Sequence, residues 1–411
     1  VENIRQQLLA QRMGEIQSLL EHHGNDQYNN NKNDGTDNEK EDTNNSVSPQ
    51  TPEDPRVAAL RGAFKPKLLT YSELSRRAFG SFAFLIEFGI AAMQFGVCLT
   101  YLIFVPANLY ASCQSLFGGV LVIPKTYFLV GMLLIEIPLT WIQDIRRLTP
   151  FNVLATIFIV YGLGSCLLIS LSYSYTQKED TILESMANLP AFQPSWFMFI
   201  GTAFFVFEGS ITLVVPLQEA VYKKEDRERF PIVNQNVTIC IVLFYMFFAM
   251  ICWASFEDQV QTAMTASLPP GIFSTTVQLA YSIAVILTYP LQAFPALEVV
   301  LKNIKNKDDD TNDINNSEIW RRNLFASLLN LTLGVVAVVA IDYLGNVVSL
   351  LGSLVGMPIA LVYPPLMHNF LVKDSSSTVR YMNYLVSGVG LFATVAASYA
   401  TITNWNESSH S

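Results

Sequence analysis

The chain has 411 residues, 51% of them hydrophobic and only 14% charged, with a mean hydropathy of +0.32. That balance excludes an ordinary soluble domain. The net charge of −9 lies mostly outside the apolar segments, between Asp26 and Asp54 and from Asp308 to Asp313, so it implies no basic partner. Cys98, Cys166, Cys240 and Cys252 fall inside apolar runs and read as buried structural thiols, while Cys113 is expected in a short loop. Their spacing suggests neither a metal site nor a disulfide framework. The first residue is Val1, which reads as a processed or partial chain, and no signal peptide is recognisable at its start.

Residues 1–78 read as a polar cytosolic segment. Within it, Ile4, Leu8, Leu9, Met13, Ile16, Leu19 and Leu20 recur at near-helical spacing and predict one amphipathic helix over 1–23. From Gly24 to Pro55 the chain is rich in Asn, Asp, Glu and Lys, with almost nothing to bury, and is expected to be disordered. Residues 79–403 form a transmembrane domain. Nine apolar segments are each expected to cross ~30 Å of hydrocarbon, near 83–109, 122–141, 150–173, 196–219, 232–255, 272–300, 321–341, 346–371 and 381–403. Residues 404–411 form a short external tail.

Loop charge predicts the orientation. Alternate loops carry Arg146 and Arg147, then Lys223, Lys224, Arg227 and Arg229, then Lys302, Lys305, Lys307, Arg321 and Arg322, then Lys373 and Arg380. The opposite loops offer Lys125 and Lys178. The N-terminal region, with Lys65, Lys67, Arg76 and Arg77, is therefore expected on the cytosolic side and the C-terminus on the far side. The sequon Asn406-Glu407-Ser408 would then be external, although Asn44 and Asn315 begin sequons on the side read as cytosolic.

The stretch from Trp196 to Glu219 holds an ionisable group at the depth of the bilayer centre, in Phe207-Glu208-Gly209-Ser210. Glu208 lies roughly 18 Å from either end of that segment. A charge at that depth costs at least ~3 kcal/mol unless it faces a cavity or a partner, which makes it a functional candidate. Gly209 and Pro216 supply a point at which the helix can come apart, and a break at the midplane is how many secondary transporters build a substrate site. A carboxyl there suits a proton-coupling group, a structural hydrogen-bond donor or a cap for the broken helix. Half-helix N-termini favour the carboxylate of an amino acid zwitterion, and exposed carbonyls favour its ammonium.

Tyr281, Ala284 and Thr288 share one face of the segment 272–300 at helical spacing, with Tyr289 beside them. That face reads equally as cavity lining or interhelical packing. Pro290 and Pro295 read as kinks. Gln94, Cys98 and Tyr101 form a polar stripe that could face Glu208 or bond another helix. Glu87 and Glu136 lie near the cytosolic ends of their spans and are expected to snorkel to the interface. His368 is expected at the cytosolic mouth. His22 and Asp26 have the H-x-x-x-D spacing of some acyltransferases but no scaffold around them. No nucleotide-binding, hydrolase, zinc or nucleic-acid motif is present, so an enzyme and a nucleic-acid binder are both disfavoured.

Three stretches carry a family likeness. They are Phe205-Val206-Phe207-Glu208-Gly209 with Pro216 and Gln218; Leu268-Pro269, Tyr281 and Tyr289-Pro290-Leu291-Gln292-Ala293-Phe294-Pro295-Ala296; and Gly352-Ser353-Leu354 through Pro364-Pro365 to His368. Gln94-Phe95-Gly96, Tyr101, Phe104 and Asn108 add to them. Together they resemble the amino acid/auxin permease family over about residues 71–403, closest to its vacuolar amino acid exporters and proton-assisted amino acid transporters.

The resemblance implies an all-α polytopic fold of two inverted five-helix repeats plus one extra helix, with broken first and sixth helices at the substrate. Counting back from the Phe207-Glu208-Gly209 helix as the sixth, the first two helices are missing here, and residues 1–70 are expected to be an expanded loop between the second and third. Half of the site is then outside this chain, which by itself is not expected to transport. The expected activity of the family is secondary active transport of small neutral amino acids. It would be coupled to H+ rather than Na+ and need no cofactor or metal. Its substrate or proton would meet Phe207, Glu208, Gly209, Ser210, Gln94, Tyr101, Tyr281 and Thr288. An acidic organelle such as a vacuole or lysosome is expected rather than the plasma membrane. Two other readings remain open: a sodium-coupled transporter, and a non-transporting amino acid sensor whose N-terminal segment recruits a cytosolic partner.

Overall fold

The computed structural model describes residues 70–118, 120, 122–142, 148–177, 196–221, 224–304 and 316–405. The amphipathic helix expected at 1–23, the disorder expected from Gly24 to Pro55 and all three sequon asparagines lie outside these residues. Every regular element among the described residues is helical. In chain order they are α1 (Tyr71–Phe79), α2 (Ala83–Leu116), α3 (Lys125–Leu139), α4 (Thr149–Gln177), α5 (Trp196–Val206), α6 (Glu208–Ala220), α7 (Lys224–Phe256), α8 (Ile272–Ile304), α9 (Asn316–Val339), α10 (Leu344–Leu371) and α11 (Ser377–Thr403). Broad apolar faces point outward, among them Leu243 and Phe247 on α7 and Phe392 and Val395 on α11. A bilayer, unlike water, solvates such faces. The protein is an all-α polytopic membrane protein.

Eight of the nine expected spans are long and apolar enough to cross a membrane, with α5 and α6 counting as one of them. The exception is 122–141. Its apolar composition runs the full stretch, but Val122 and Ile123 are irregular and Pro124 occupies the N-cap, so the helix starts only at Lys125. The resulting 15 residues span about 22 Å, short of the ~30 Å of hydrocarbon.

Helix α2 is the centre of the bundle. It packs along α8 and also touches α1, α3, α9 and α10. Its mean composition is apolar on all sides, as expected of a helix with neighbours all round. Cys98, Leu102, Ile103 and Val105 from α2 join Leu129 and Met132 of α3, Tyr289, Ala293 and Leu297 of α8, and Ala326 and Ala337 of α9 in one apolar core. Cys98, Cys166 and Cys252 are buried as expected, whereas Cys240 is exposed on α7. Cys113 sits in the last turn of α2, because that helix continues to Leu116, beyond the 109 expected.

Helix α1 begins with a side-chain cap. Thr70 Oγ1 accepts from Glu73 N at 3.2 Å, and Arg76 and Arg77 occupy the last turn, where the helix dipole favours cations. Arg76 then reaches Glu87 on α2 through two bonds, Nε to Oε1 at 2.5 Å and Nη2 to Oε2 at 2.9 Å. Glu87 therefore does not snorkel to open water. Its side chain is 8% exposed and neutralised by a bidentate guanidinium.

Helix α10 crosses α5 with backbone against backbone. A Cβ added at Gly352 would lie 1.8 Å from the Gly201 carbonyl oxygen, and one at Gly201 would lie 2.3 Å from the Ser349 oxygen. Small residues at a membrane crossing allow this approach, and Ser349 Oγ adds a hydrogen bond to Met198 O at 2.9 Å. At the same place α10 widens into two π-helical segments, Gly352–Gly356 and Pro358–Val362. Carbonyls of this region are taken up from outside the helix. Tyr71 donates to Ile359 O at 2.7 Å, and Ser387 donates to Val362 O at 3.2 Å.

Gly352→Ala forces either backbone at this crossing to move and is expected to cost about 1–3 kcal/mol. Gly388→Ala on α11 has open space around the new methyl group and is expected to be neutral. Heating both variants in detergent and following the monodisperse fraction by size exclusion separates the two outcomes.

Candidate functional site

The helix carrying Glu208 is interrupted, but narrowly. Helix α5 ends at Val206, Phe207 takes φ −91° and ψ 2°, and α6 begins at Glu208. Bonds from Phe207 N to Ala203 O and from Ile211 N to Phe207 O, both 3.2 Å, carry the ladder across the junction. The interruption therefore spans one residue rather than an unwound stretch. The Phe207 ring faces Tyr245 on α7, with centroids 6.1 Å apart. The Glu208 and Ser210 side chains and that of Pro216 lie outside the described residues. Gly209 has open space where a Cβ would stand, so packing does not require glycine there.

On the α10 side the junction is met by the π-helical region. Gly356 approaches Phe204 O, at 3.2 Å from an added Cβ, and Met93 of α2 touches the same glycine. Short π segments recur at functional sites because they rotate a helix face and leave carbonyls free. Three elements thus converge within one turn of Phe207: α2, the end of α5 and the widened part of α10.

The polar stripe of α2 is taken up by α8. Gln292 Nε2 donates to Gln94 Oε1. The Tyr101 hydroxyl meets the Thr288 side chain, and Thr288 Oγ1 also donates to Ala284 O at 3.0 Å. Tyr101 lies 6.5 Å from Tyr289, centroid to centroid. Tyr281, two turns before Thr288 on α8, meets a different helix. Its ring rests on Gly162 of α4, where an added Cβ would come within 2.3 Å. Gln94, Tyr101 and Thr288 are therefore brought together and remain partly exposed, whereas Tyr281 belongs to the α4–α8 contact with Cys166 and Val277. His368 is exposed in the last turn of α10, and its Nδ1 accepts from Asn383 Nδ2 at 3.0 Å. Helix α8 runs unbroken from Ile272 to Ile304, so Pro290 does not end it.

Two buried polar groupings were not anticipated. Near the far end of α2, Thr265 Oγ1 donates to Asn108 Oδ1 at 2.5 Å, Gln278 Nε2 donates to Thr265 O at 3.0 Å and Ser112 Oγ donates to Gln278 Oε1 at 2.9 Å. This network ties the loop before α8 to both central helices. Near the basic end, Tyr289 donates to Asn330 Oδ1 at 2.7 Å and Asn330 Nδ2 donates to Thr140 Oγ1 at 2.9 Å, joining α8, α9 and the end of α3.

Glu136 overturns its expectation outright. It is 0% exposed, and among the described residues neither carboxyl oxygen has a hydrogen-bond partner. Sequence depth placed it near the end of a span, but its face decides the matter. Leu129, Met132 and Glu136, at i, i+3 and i+7, form the buried stripe of α3. An unpaired ionised carboxylate in such surroundings costs several kcal/mol. The same spacing, read in the sequence, was the signal that could have found it.

The match to a family decides what kind of bundle this is. Residues 59–403 match the model of the transmembrane amino acid transporter proteins. The chain belongs to that family. It is 29% identical over 348 residues to vacuolar amino acid transporter 3 of Saccharomyces cerevisiae, covering 82% of this chain and 48% of that protein. Vacuolar amino acid transporter 4 of the same yeast is 29% identical over 343 residues, covering 77% and 47%. Amino acid transporter ANT1 of Arabidopsis thaliana is 26% identical over 347 residues, covering 81% and 76%. The chain spans about half the length of the two yeast relatives. The family is one of transporters and not of enzymes.

The Tyr289–Asn330 bond is expected to stabilise the bundle by about 0.5–2 kcal/mol. Thermal midpoints in detergent for Tyr289→Phe, Asn330→Ala and the double variant give this coupling as a double-mutant cycle.

Proposed function

We propose that the full-length protein is a secondary active transporter of small neutral amino acids, driven by protons and working by alternating access. The observation that carries this reading is the single-residue interruption at Phe207, directly before Glu208 and Gly209, in a membrane helix of a transporter family. The N-terminus of α6 there presents amide groups suited to an amino acid carboxylate. Glu208, Gly209 and Ser210 are assigned to substrate or proton binding beside Phe207. Gln94, Tyr101 and Thr288 line the approach from α2 and α8, with Tyr281 behind them.

The likeness to fungal vacuolar transporters supports an acidic organelle, where a proton gradient is available to drive flux. The distribution of Lys and Arg among the loops supports a cytosolic N-terminal region and a lumenal C-terminus. Two contacts agree with the expected sides. Arg322 Nη1 donates to Trp141 O at 3.3 Å at the basic face, and Lys125 pairs with Asp342 at 2.6 Å at the other.

Two measurements test the reading. Sequencing the transcript upstream of Val1 is expected to reveal two apolar spans, the first interrupted by glycine. Translation starting just before Val1 would instead favour the sensor. In reconstituted full-length protein, Glu208→Gln is expected to bring acid-driven amino acid accumulation to near background. Undiminished accumulation in that variant removes Glu208 from the coupling path.

A further inference from the structure

Glu136 is a fully buried carboxyl that the mechanism above does not use. It lies one turn from the end of α3 at the basic face of the bundle, on the stripe that enters the apolar core. The helices packed against α3 are α2, α8 and α9. From α2 the group feels Cys98, with Tyr101 beyond it, and from α8 it feels Tyr289. From α9 the nearby polar group is Asn330, which cannot titrate, and Arg322 sits further out at the Trp141 carbonyl. The proton of the Tyr289 hydroxyl is committed to Asn330 and that of Thr140 to Ile137 O. None of these neighbours bonds the Glu136 carboxyl.

A structural carboxyl in a membrane helix normally bonds a neighbouring helix, as the amides of Gln94, Gln278 and Asn330 do here. Glu136 has the burial of such a group without the bond. We propose that Glu136 is a proton-binding site of the transport cycle, filled in the arrangement seen here and emptied when α3 shifts against α2, α8 and α9. The step is a simple protonation. The carboxylate takes one proton from the aqueous phase to give the acid, and release on the other side reverses it. The neutral acid tolerates the apolar core, and the carboxylate demands water or a donor. The charge state therefore biases which arrangement the helices adopt. Tyr289 is the hydroxyl placed to meet the carboxylate once its bond to Asn330 is released.

This inference rests on the proton-coupled transport reading. The experiment is exchange of a tritiated mixture of alanine, serine, proline and leucine across liposomes holding the full-length protein, with equal pH on both sides. Wild-type exchange is expected to change about tenfold between about pH 5 and pH 8. Glu136→Gln, which mimics the protonated group, is expected to flatten that profile, and Glu136→Asp to restore a titration with a displaced midpoint. An unchanged pH profile in Glu136→Gln overturns the assignment while leaving the transport reading intact. No exchange by the wild-type protein at any pH overturns the transport reading itself. A loss of the profile in Glu136→Asp equal to that in Glu136→Gln also counts against the carboxyl, since the shorter acid still binds a proton.

Discussion

Inside a bilayer there is no water to satisfy a polar side chain, so those that cannot bond within their own helix, as Thr288 does, must reach a neighbouring one. That single demand orders the bundle. Gln94 with Gln292 and Tyr101 with Thr288 hold α2 in register with α8. Tyr289, Asn330 and Thr140 fix α8 to α9 and to the end of α3. Asn108, Thr265, Gln278 and Ser112 close the opposite end. The apolar core fills the space between these ties but does not by itself say which helix faces which. Polar pairs do, because a rotation of one residue would leave several donors and acceptors bare.

Much of this was legible in the amino-acid order, and the reason differs between features. Membrane helices announce themselves by composition, so the segments at 150–173, 272–300 and 381–403 were found within a few residues of α4, α8 and α11. The segment at 122–141 failed because composition says nothing of where a helix starts, and Pro124 held the start back. The likeness carried by Phe205–Gly209 and by Gly352 through His368 also held, since the family match covers both, and Phe205 meets Gly352 where α5 and α10 cross. What could not be read was pairing. Gln94 offered two possible partners, Glu208 and another helix, and only the packing of α2 on α8 brings Gln292 opposite it. Glu87 and Glu136 were both judged by their depth in the membrane. Depth cannot distinguish a carboxylate with an arginine at hand from one with no partner.

The candidate site has a similar split. Sequence located the interruption to within a residue or two, because a carboxylate beside glycine in an apolar helix is chemically conspicuous. It did not foresee the shape of the opposing surface. The close passage of Gly201 over Gly352 and the widening of α10 are properties of two helices together, and neither sequence alone contains them. A rigid crossing next to a one-residue hinge is a workable arrangement for motion. The backbone contact fixes α5 against α10, and Phe207 separates that fixed part from α6.

The two π-helical segments of α10 have a consequence for how this protein tolerates insertions and deletions. A π turn is an α turn that has absorbed an extra residue, and the bonds from Met357 N to Gly352 O and from Tyr363 N to Pro358 O show where each extra residue is held. Deleting one residue between 352 and 362 would let that turn relax to ordinary α geometry, at little local cost. Because the extra residue is absorbed within the turn, everything after it would keep nearly its present rotation about the helix axis. Asn383 would keep Asn369 and His368 as partners. The region is thus the part of the helix where one residue can be lost with the least effect on the packing beyond it. A residue lost from the regular α turns of α10 would instead swing everything after it by about 100°.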